Sequence, residues 1–296
     1  MADALKISVA TLGIRRYQDV GAFHEHMDCL ARDAAGAAGS SLLLLPELAC
    51  LGLLWGDSAA GETTAAGVAT LYRRRLTPLL DAYRFCLSEL ARSHQITIAG
   101  ASCWHEENGR GLNSGFVVFP DGRMLRQDKI HPTRPEQAIG TVGGDTIEAF
   151  DIDNVRMAMA ICYDVQFPEL TRHLVAEGID VLLVPSLTTE RGYWRVRHAA
   201  HARAVENQIY VCVSPIFGNL GIPTDYPVVA TGGAFVACPI DNRFGIADGT
   251  YGRAGNNEEG LLNVTLDLAR LRLSREKSEI RQLADSRPDL YQRLKR

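Results

Sequence analysis

Three residues of this 296-residue chain have side chains that could act on one substrate together: Glu47, Lys129 and Cys162. Cys162 follows the apolar segment Val155 to Ile161 and precedes Tyr163-Asp164-Val165-Gln166-Phe167-Pro168, which leads into a helical pattern. A strand-to-helix turn exposes one side chain and aims free backbone N–H groups at the same spot, an arrangement that suits a nucleophile with an oxyanion beside it. Glu47 follows Leu42-Leu43-Leu44-Leu45-Pro46, so a carboxylate stands at the carboxyl end of a buried strand, where α/β folds place their ligands. Lys129 closes the segment Met124 to Asp128 and precedes Ile130-His131-Pro132, whose proline argues against a continuing helix. Taken singly, each has a plainer reading: a core thiol, a solvated loop acid, a surface lysine. Taken together, a thiol, a carboxylate and an ammonium at three strand ends can converge in one crevice. There the carboxylate takes the thiol's proton, and the ammonium favours both the thiolate and a developing oxyanion.

The elements that must position them follow from hydrophobic periodicity. Ile7 to Ala10, the Ala-rich stretch Gly21 to Ala35 and Ser41 to Leu45 read as strand, helix and buried strand. A long helical pattern from Val68 to His94 precedes another strand at Ile96 to Gly100, repeating the βαβ theme. Ser114 to Gln127 forms two short strands around Asp121-Gly122, a dipeptide that tolerates positive φ. Thr146 to Asp151 and Val155 to Ile161 flank the turn Asp153-Asn154. A helix from Pro168 to Glu177, a strand from Val181 to Pro185, a helix from Trp194 to Asn207 and a strand from Ile209 to Ser214 come next. Late strands lie near Ala230 to Cys238 and Gly260 to Leu266. With no Ser/Gly/Pro-rich linker, residues 1–296 are expected to form one α/β domain of two sheets covered by helices. The ends of these strands place Tyr163, Gln166, Ser186, Leu187, Thr188 and Trp194 around the crevice as candidate substrate-binding residues.

The motifs around the three residues resemble those of the nitrilase, or carbon–nitrogen hydrolase, superfamily. They read Leu45-Pro46-Glu47-Leu48, Gln127-Asp128-Lys129-Ile130-His131-Pro132 and Ile161-Cys162-Tyr163-Asp164-Val165-Gln166-Phe167-Pro168-Glu169, in the family's chain order. Similar agreement continues in Val184-Pro185-Ser186, in Trp194 with Arg203 to Asn207, and in Asp289-Leu290-Tyr291. Arg191 to Arg197 and the Gln127-Asp128-Lys129 form look closest to a poorly characterised branch often fused to an acetyltransferase domain, for which this chain is expected to have no room. The resemblance implies a four-layer α-β-β-α sandwich and a Glu47, Lys129, Cys162 triad. It further implies that Glu136, in Pro135-Glu136-Gln137, hydrogen-bonds near the lysine and helps hold the substrate. Homodimers or larger assemblies are implied too, through Asp164 to Glu177 and the tail of about 268–296. Gln127, Gly52-Leu53-Leu54 and Thr231-Gly232-Gly233-Ala234 depart from common family forms and bear on pocket shape rather than on the chemistry. Cys162-Tyr163-Asp164, in place of the Cys-Trp-Glu of true nitrilases, leans toward a small amide, ω-amide or N-carbamoyl substrate. Nitrile hydrolysis by the same triad is the alternative.

Composition narrows the rest. A formal net charge of -4, without a long Lys or Arg run, gives no reason to expect nucleic acid. No basic segment followed by an apolar stretch opens the chain, and no apolar run reaches the roughly 18 residues that span a bilayer, so a cytoplasmic protein with no membrane association is expected. Seven cysteines with no CxxC pair suggest neither a disulfide framework nor zinc, and most should be buried free thiols. The His24-Glu25-His26 spacing sets two imidazoles on different helical faces, so no metal is expected there, and the mechanism requires no cofactor. A dinucleotide fingerprint should follow the first strand, where Thr11-Leu12-Gly13-Ile14-Arg15-Arg16 does not fit. His198 and His201 fall on a helical segment without a papain-like cysteine signature. The remaining rival is a catalytically retired member that binds a small molecule or partner through the same crevice.

Overall fold

The computed structural model describes residues 3–58, 60–222 and 229–294. Its elements run β1 (Ala4–Gly13), α1 (Val20–Ala35), β2 (Leu42–Leu44), α2 (Val68–Arg75), α3 (Leu80–His94), β3 (Thr97–Glu107), β4 (Arg110–Val118), β5 (Met124–Asp128), α4 (Arg134–Ala138), β6 (Phe150–Ile152) and β7 (Val155–Met159). Then come α5 (Pro168–Ala176), β8 (Val181–Leu187), α6 (Glu190–Asn207), β9 (Tyr210–Asn219), β10 (Val229–Ala230), β11 (Phe235–Ala237), β12 (Thr250–Arg253), β13 (Gly260–Asp267), α7 (Leu268–Lys277) and α8 (Pro288–Leu294).

Two sheets of similar plan carry the molecule. In one, parallel β1, β2 and β3 are flanked by antiparallel β4 and β5 on one side and β13 on the other. In the second, parallel β7, β8 and β9 are flanked by antiparallel β6 and by β11 with β12. The sheets are continuous at one corner, where Leu12 and Gly13 of β1 pair with Ile216 and Phe217 of β9. The short β10 pairs with the far end of β9.

Side-chain alternation explains why each sheet is covered on both faces. Leu5, Ile7 and Val9 of β1 and Leu42 and Leu44 of β2 join Met157, Met159, Leu183 and Val211 in one core. Ala10, Leu12, Leu43 and Leu45 point the other way, onto Phe23 and Met27 of α1 and Leu87 and Leu90 of α3. The second sheet packs its outer face on α5 and α6 through Leu174, Val196 and Ala200. The layers are therefore helix, sheet, sheet, helix, as the resemblance implied.

Differences from the sequence reading have local causes. The pattern from Val68 to His94 is two helices, because Pro78 lacks an N–H and disfavours helix at Thr77, leaving a 3-10 turn at Thr77–Leu79. β3 does not stop at Gly100 but runs to Glu107 and returns through Asn108 and Gly109, both at positive φ, a two-residue hairpin turn of the favoured kind. α6 begins at Glu190, four residues before Trp194, and β12 lies where no strand is expected.

Gly100 marks an irregularity that shapes the site. Its φ is +90°, and a Cβ there would lie 2.0 Å from the Leu45 carbonyl oxygen. The β3–β4 register shifts between Gly100 and Cys103, and Ala101 follows at φ 44°. This distortion brings Ser102 under the chain just after Glu47, where its Oγ accepts the Leu48 N–H at 2.8 Å. Gly100→Ala is expected to destabilise the fold by about 3 kcal/mol or more, combining a left-handed backbone with a backbone clash. The check is a urea midpoint that falls without a change in the denaturant slope.

Candidate active site

The carboxyl ends of β2, β5, β7 and β8 meet, and the chain leaves each of them in a shape that fixes one polar side chain. After β2, Leu48 takes a left-handed conformation (φ 49°), turning the backbone sharply past Glu47. After β5, Lys129 stays tied to the sheet, its N–H donating to the Asn113 carbonyl at 2.9 Å. Cys162 opens a 3-10 turn, Cys162–Gln166, and is itself at φ 51°. Left-handed backbone at a cysteine is uncommon and costs free energy, which the surrounding contacts must offset.

Glu47 and Lys129 are each 2% exposed, and Cys162 4%. The Lys129 Nζ donates to Glu47 Oε1 at 2.7 Å and to Glu136 Oε2 at 2.7 Å. Glu47 Oε2 accepts the Leu187 backbone N–H at 2.8 Å, and the Glu47 charge acts on the Cys162 thiol. The sulfur lies 3.5 Å from the Leu187 carbonyl and accepts from Ser186 Oγ at 3.4 Å. Glu136 is fixed by its place in α4. It closes a capping box in which the Thr133 N–H and Oγ1 donate to Glu136 Oε2 at 2.8 and 2.7 Å.

Burial sets the electrostatics, and the charges in the cluster then divide it. Burial raises the Glu47 carboxyl, with Lys129 opposing and Glu136 adding to the rise. Burial alone would lower the Lys129 ammonium, but Glu47 and Glu136 outweigh it and hold it well above the ordinary lysine range. Glu136 is also pushed up by burial, yet Lys129, Thr133 and Asn113 bring it below the ordinary glutamate value. Burial and the Glu47 charge push the Cys162 thiol up. The resting cluster is therefore an ionised Glu136–Lys129 pair beside a Glu47 that holds a proton more readily than a free glutamate, and a neutral thiol.

A third carboxylate ties two of the site's loops together. Asp164, 1% exposed, accepts from the Ile130 N–H at 3.1 Å, the His131 N–H at 2.8 Å and the Ile161 N–H at 3.2 Å. Its Oδ1 also lies 2.9 Å from His131 Nδ1, and the His131 ring stacks on Phe167 at 3.6 Å. The loop after Lys129 is thereby fastened to the turn that holds Cys162.

The residues named from sequence divide into those at the cluster and those beside it. Glu47, Lys129, Glu136, Cys162, Ser186 and Leu187 are brought together, Leu187 through its backbone rather than its side chain. Thr188 is buried next to them, with its Oγ1 unpartnered among the described residues and its carbonyl accepting the Thr231 N–H. Tyr163 packs edge-on against Phe167, 4.9 Å between centroids, and Gln166 is half-buried on the same turn. Trp194 is 47% exposed on α6, against Tyr193 and His198, and makes no described contact with the cluster. Sequence reasoning missed Asn113, whose Nδ2 donates at 3.0 Å to both Glu47 Oε1 and Glu136 Oε1. The available signal was an amide in a strand segment, Leu112 to Val118, that is mostly apolar. Among the described residues no group of three or more His, Cys, Asp or Glu side chains is arranged to hold a metal ion. His26 instead lies between Tyr17 at 2.6 Å and Glu259 at 3.2 Å. Of the seven cysteines, Cys29 is exposed and the rest are buried. No helix among the described residues is long and apolar enough to cross a membrane.

Comparison with known proteins bears on the family and the fold. Residues 6–276 match the carbon-nitrogen hydrolase family model. A probable hydrolase of Bacillus subtilis, YhcX, is 34% identical over 88% of this chain, which spans about half (49%) of that relative's length. The omega-amidase NIT2 of Mus musculus is 31% identical over 69% of this chain and 73% of its own. A cysteine-to-alanine mutant of the Nesterenkonia AN1 amidase, from the nitrilase superfamily, superposes with a TM-score of 0.73 at 23% identity, covering 99% of this chain and 98% of that one. By the extent of that family match and the fold it shares, this chain belongs to the carbon-nitrogen hydrolase family.

Proposed function

We propose that the protein is a cysteine-dependent hydrolase of a non-peptide C–N bond in a small amide, ω-amide or N-carbamoyl compound. The observation that carries this reading is the buried cluster in which Glu47 takes the Lys129 ammonium and the Leu187 N–H at once, with the Cys162 sulfur 3.5 Å from the carbonyl of that same Leu187. The omega-amidase and amidase relatives support the substrate class.

In this mechanism Glu47 accepts the Cys162 proton as the sulfur attacks the amide carbon. A general base is required because the thiol is held neutral at rest by burial and by Glu47 itself. Two of the three Lys129 N–H donors are taken by the glutamates, and the third serves the developing oxyanion with the Tyr163 backbone N–H. Collapse expels ammonia or an amine with the proton from Glu47, leaving a thioester on Cys162. Glu47 then activates water to release the acid and restore the thiol. The raised Glu47 carboxyl suits this double role near neutrality. Glu136 keeps the ammonium in place, and Ser186 and Leu187 orient the sulfur.

The assembly implied by the family also belongs to this reading. Large apolar side chains are exposed along the C-terminal stretch, among them Ile280, Tyr291 and Leu294, and a second copy would cover them. Asp164 is no part of that surface, since it is buried and holds the Lys129 loop.

Ammonia release from a panel of small amides, ω-amides, N-carbamoyl compounds and nitriles tests the function. The parent should release ammonia from an amide-type member, and Cys162→Ala should fall at least roughly a thousandfold with an unchanged thermal midpoint. Undiminished release by Cys162→Ala would sink the reading. For pH dependence, Glu136→Gln removes a negative charge that raises Glu47, so the acid limb of kcat/KM should move to lower pH, with the maximum reduced by about tenfold or more. Light scattering should give a mass at least twice 32.4 kDa; a monomer across the working concentration range would remove the assembly.

A further inference from the structure

Glu47 Oε1 is already engaged by two donors, the Lys129 ammonium at 2.7 Å and one hydrogen of the Asn113 amide at 3.0 Å. The other Asn113 hydrogen goes to Glu136 Oε1 at 3.0 Å, while Lys129 reaches Glu136 through Oε2. Asn113 and Lys129 therefore bridge the same two carboxylates side by side, closing a ring of hydrogen bonds. Glu47 Oε2 lies outside that ring and has the Leu187 N–H as its partner.

Two features mark the amide as placed for this bridge rather than for its own packing. Asn113 is 1% exposed, and its Oδ1 has no hydrogen-bond partner among the described residues, a cost accepted so that both N–H groups face the carboxylates. The reversed amide would turn an oxygen toward two carboxylates and lose both bonds. The Asn113 carbonyl also receives the Lys129 backbone N–H at 2.9 Å, so one residue of β4 registers the lysine's main chain and both acids.

We infer that Asn113 is a positioning residue that occupies Glu47 Oε1 and so directs proton exchange with Cys162 to Oε2, while holding Glu47 and Glu136 at fixed separation. This inference rests on the hydrolase reading above. An amide suits the task because it donates two hydrogens and does not titrate, whereas Lys129, Glu136 and Cys162 are the titratable groups that face Glu47 in the cluster. An N–H donated to a carboxylate favours the ionised form. Removing it raises the pH at which Glu47 becomes a competent base, the opposite direction to the loss of Glu136.

The test compares Asn113→Ala and Asn113→Asp with the parent by the pH dependence of kcat/KM for the panel's best amide. It adds the pH dependence of Cys162 labelling by iodoacetamide, located by peptide mapping, which needs no turnover. Both variants should lose activity, and the acid limb of both profiles should move up by about one pH unit, the scale of one charge-assisted hydrogen bond. A parent that turns over, with folded variants whose limbs stay at the parental pH, would overturn the inference and leave the hydrolase standing. A variant too unstable to assay would be replaced by Asn113→Ser, held to the same limb. A parent silent toward the whole panel and slow to label at Cys162 would overturn both readings together.

Discussion

An ammonium taken out of water is unstable unless something replaces its hydration, and Lys129 is buried at 2% exposure. The idealised desolvation cost of such an ion is of order 20 kcal/mol, and several kcal/mol remain after relaxation. Two carboxylates at 2.7 Å offset it, but two carboxylates exceed one ammonium by a charge. The surplus falls on Glu47, because Glu136 has the Thr133 capping contacts as well. Glu47, raised first by its own burial and then by the Glu136 charge, with Lys129 opposing, is left holding a proton more readily than usual.

The fold supplies what that cluster cannot supply for itself. Each participating residue leaves a strand end in a turn of its own: left-handed Leu48 after Glu47, a proline-bearing loop after Lys129, left-handed Cys162 before its 3-10 turn. Such turns are costly alone and tolerable when both sides of them are packed. Gly100 lets β3 approach the Leu45 carbonyl, and Ser102 then catches the backbone beyond Glu47. Asp164 binds the lysine loop to the cysteine turn through four contacts. The site's loops are tied to each other and not only to their own strands.

Much of this was legible in the sequence, and the gaps have physical reasons. The run Leu42 to Leu45 betrays a strand buried on both faces, and the residues at its end and at the ends of Val155 to Ile161 and Met124 to Asp128 are those that meet. Backbone donors and acceptors carry no sequence signal, so Leu187 was placed by position while its use of the main chain was not. Asn113 looks like any polar residue in a strand until its neighbours across the sheet are known. The unbroken periodicity from Val68 to His94 hid a break, since apolar spacing persists across Pro78 while backbone hydrogen bonding does not. Trp194 is expected near the crevice because it flanks a strand end, and that position says nothing of the face of α6 it occupies.

The pairing of β1 sets terms for how the chain reaches this state. β1 lies between β2 on one side and β13 on the other, and the Ser8 hydroxyl meets Asn263 across 255 positions. A chain emerging from the ribosome can build β1, β2 and β3 early, yet the outer edge of β1 stays unpaired until nearly all of the described residues have been made. An exposed edge beside Ile7 and Val9 is a template for pairing with other chains. The topology that closes the sheet around the site therefore also makes synthesis the interval in which the molecule is most open to aggregation, and the late strand β13 the element that ends it.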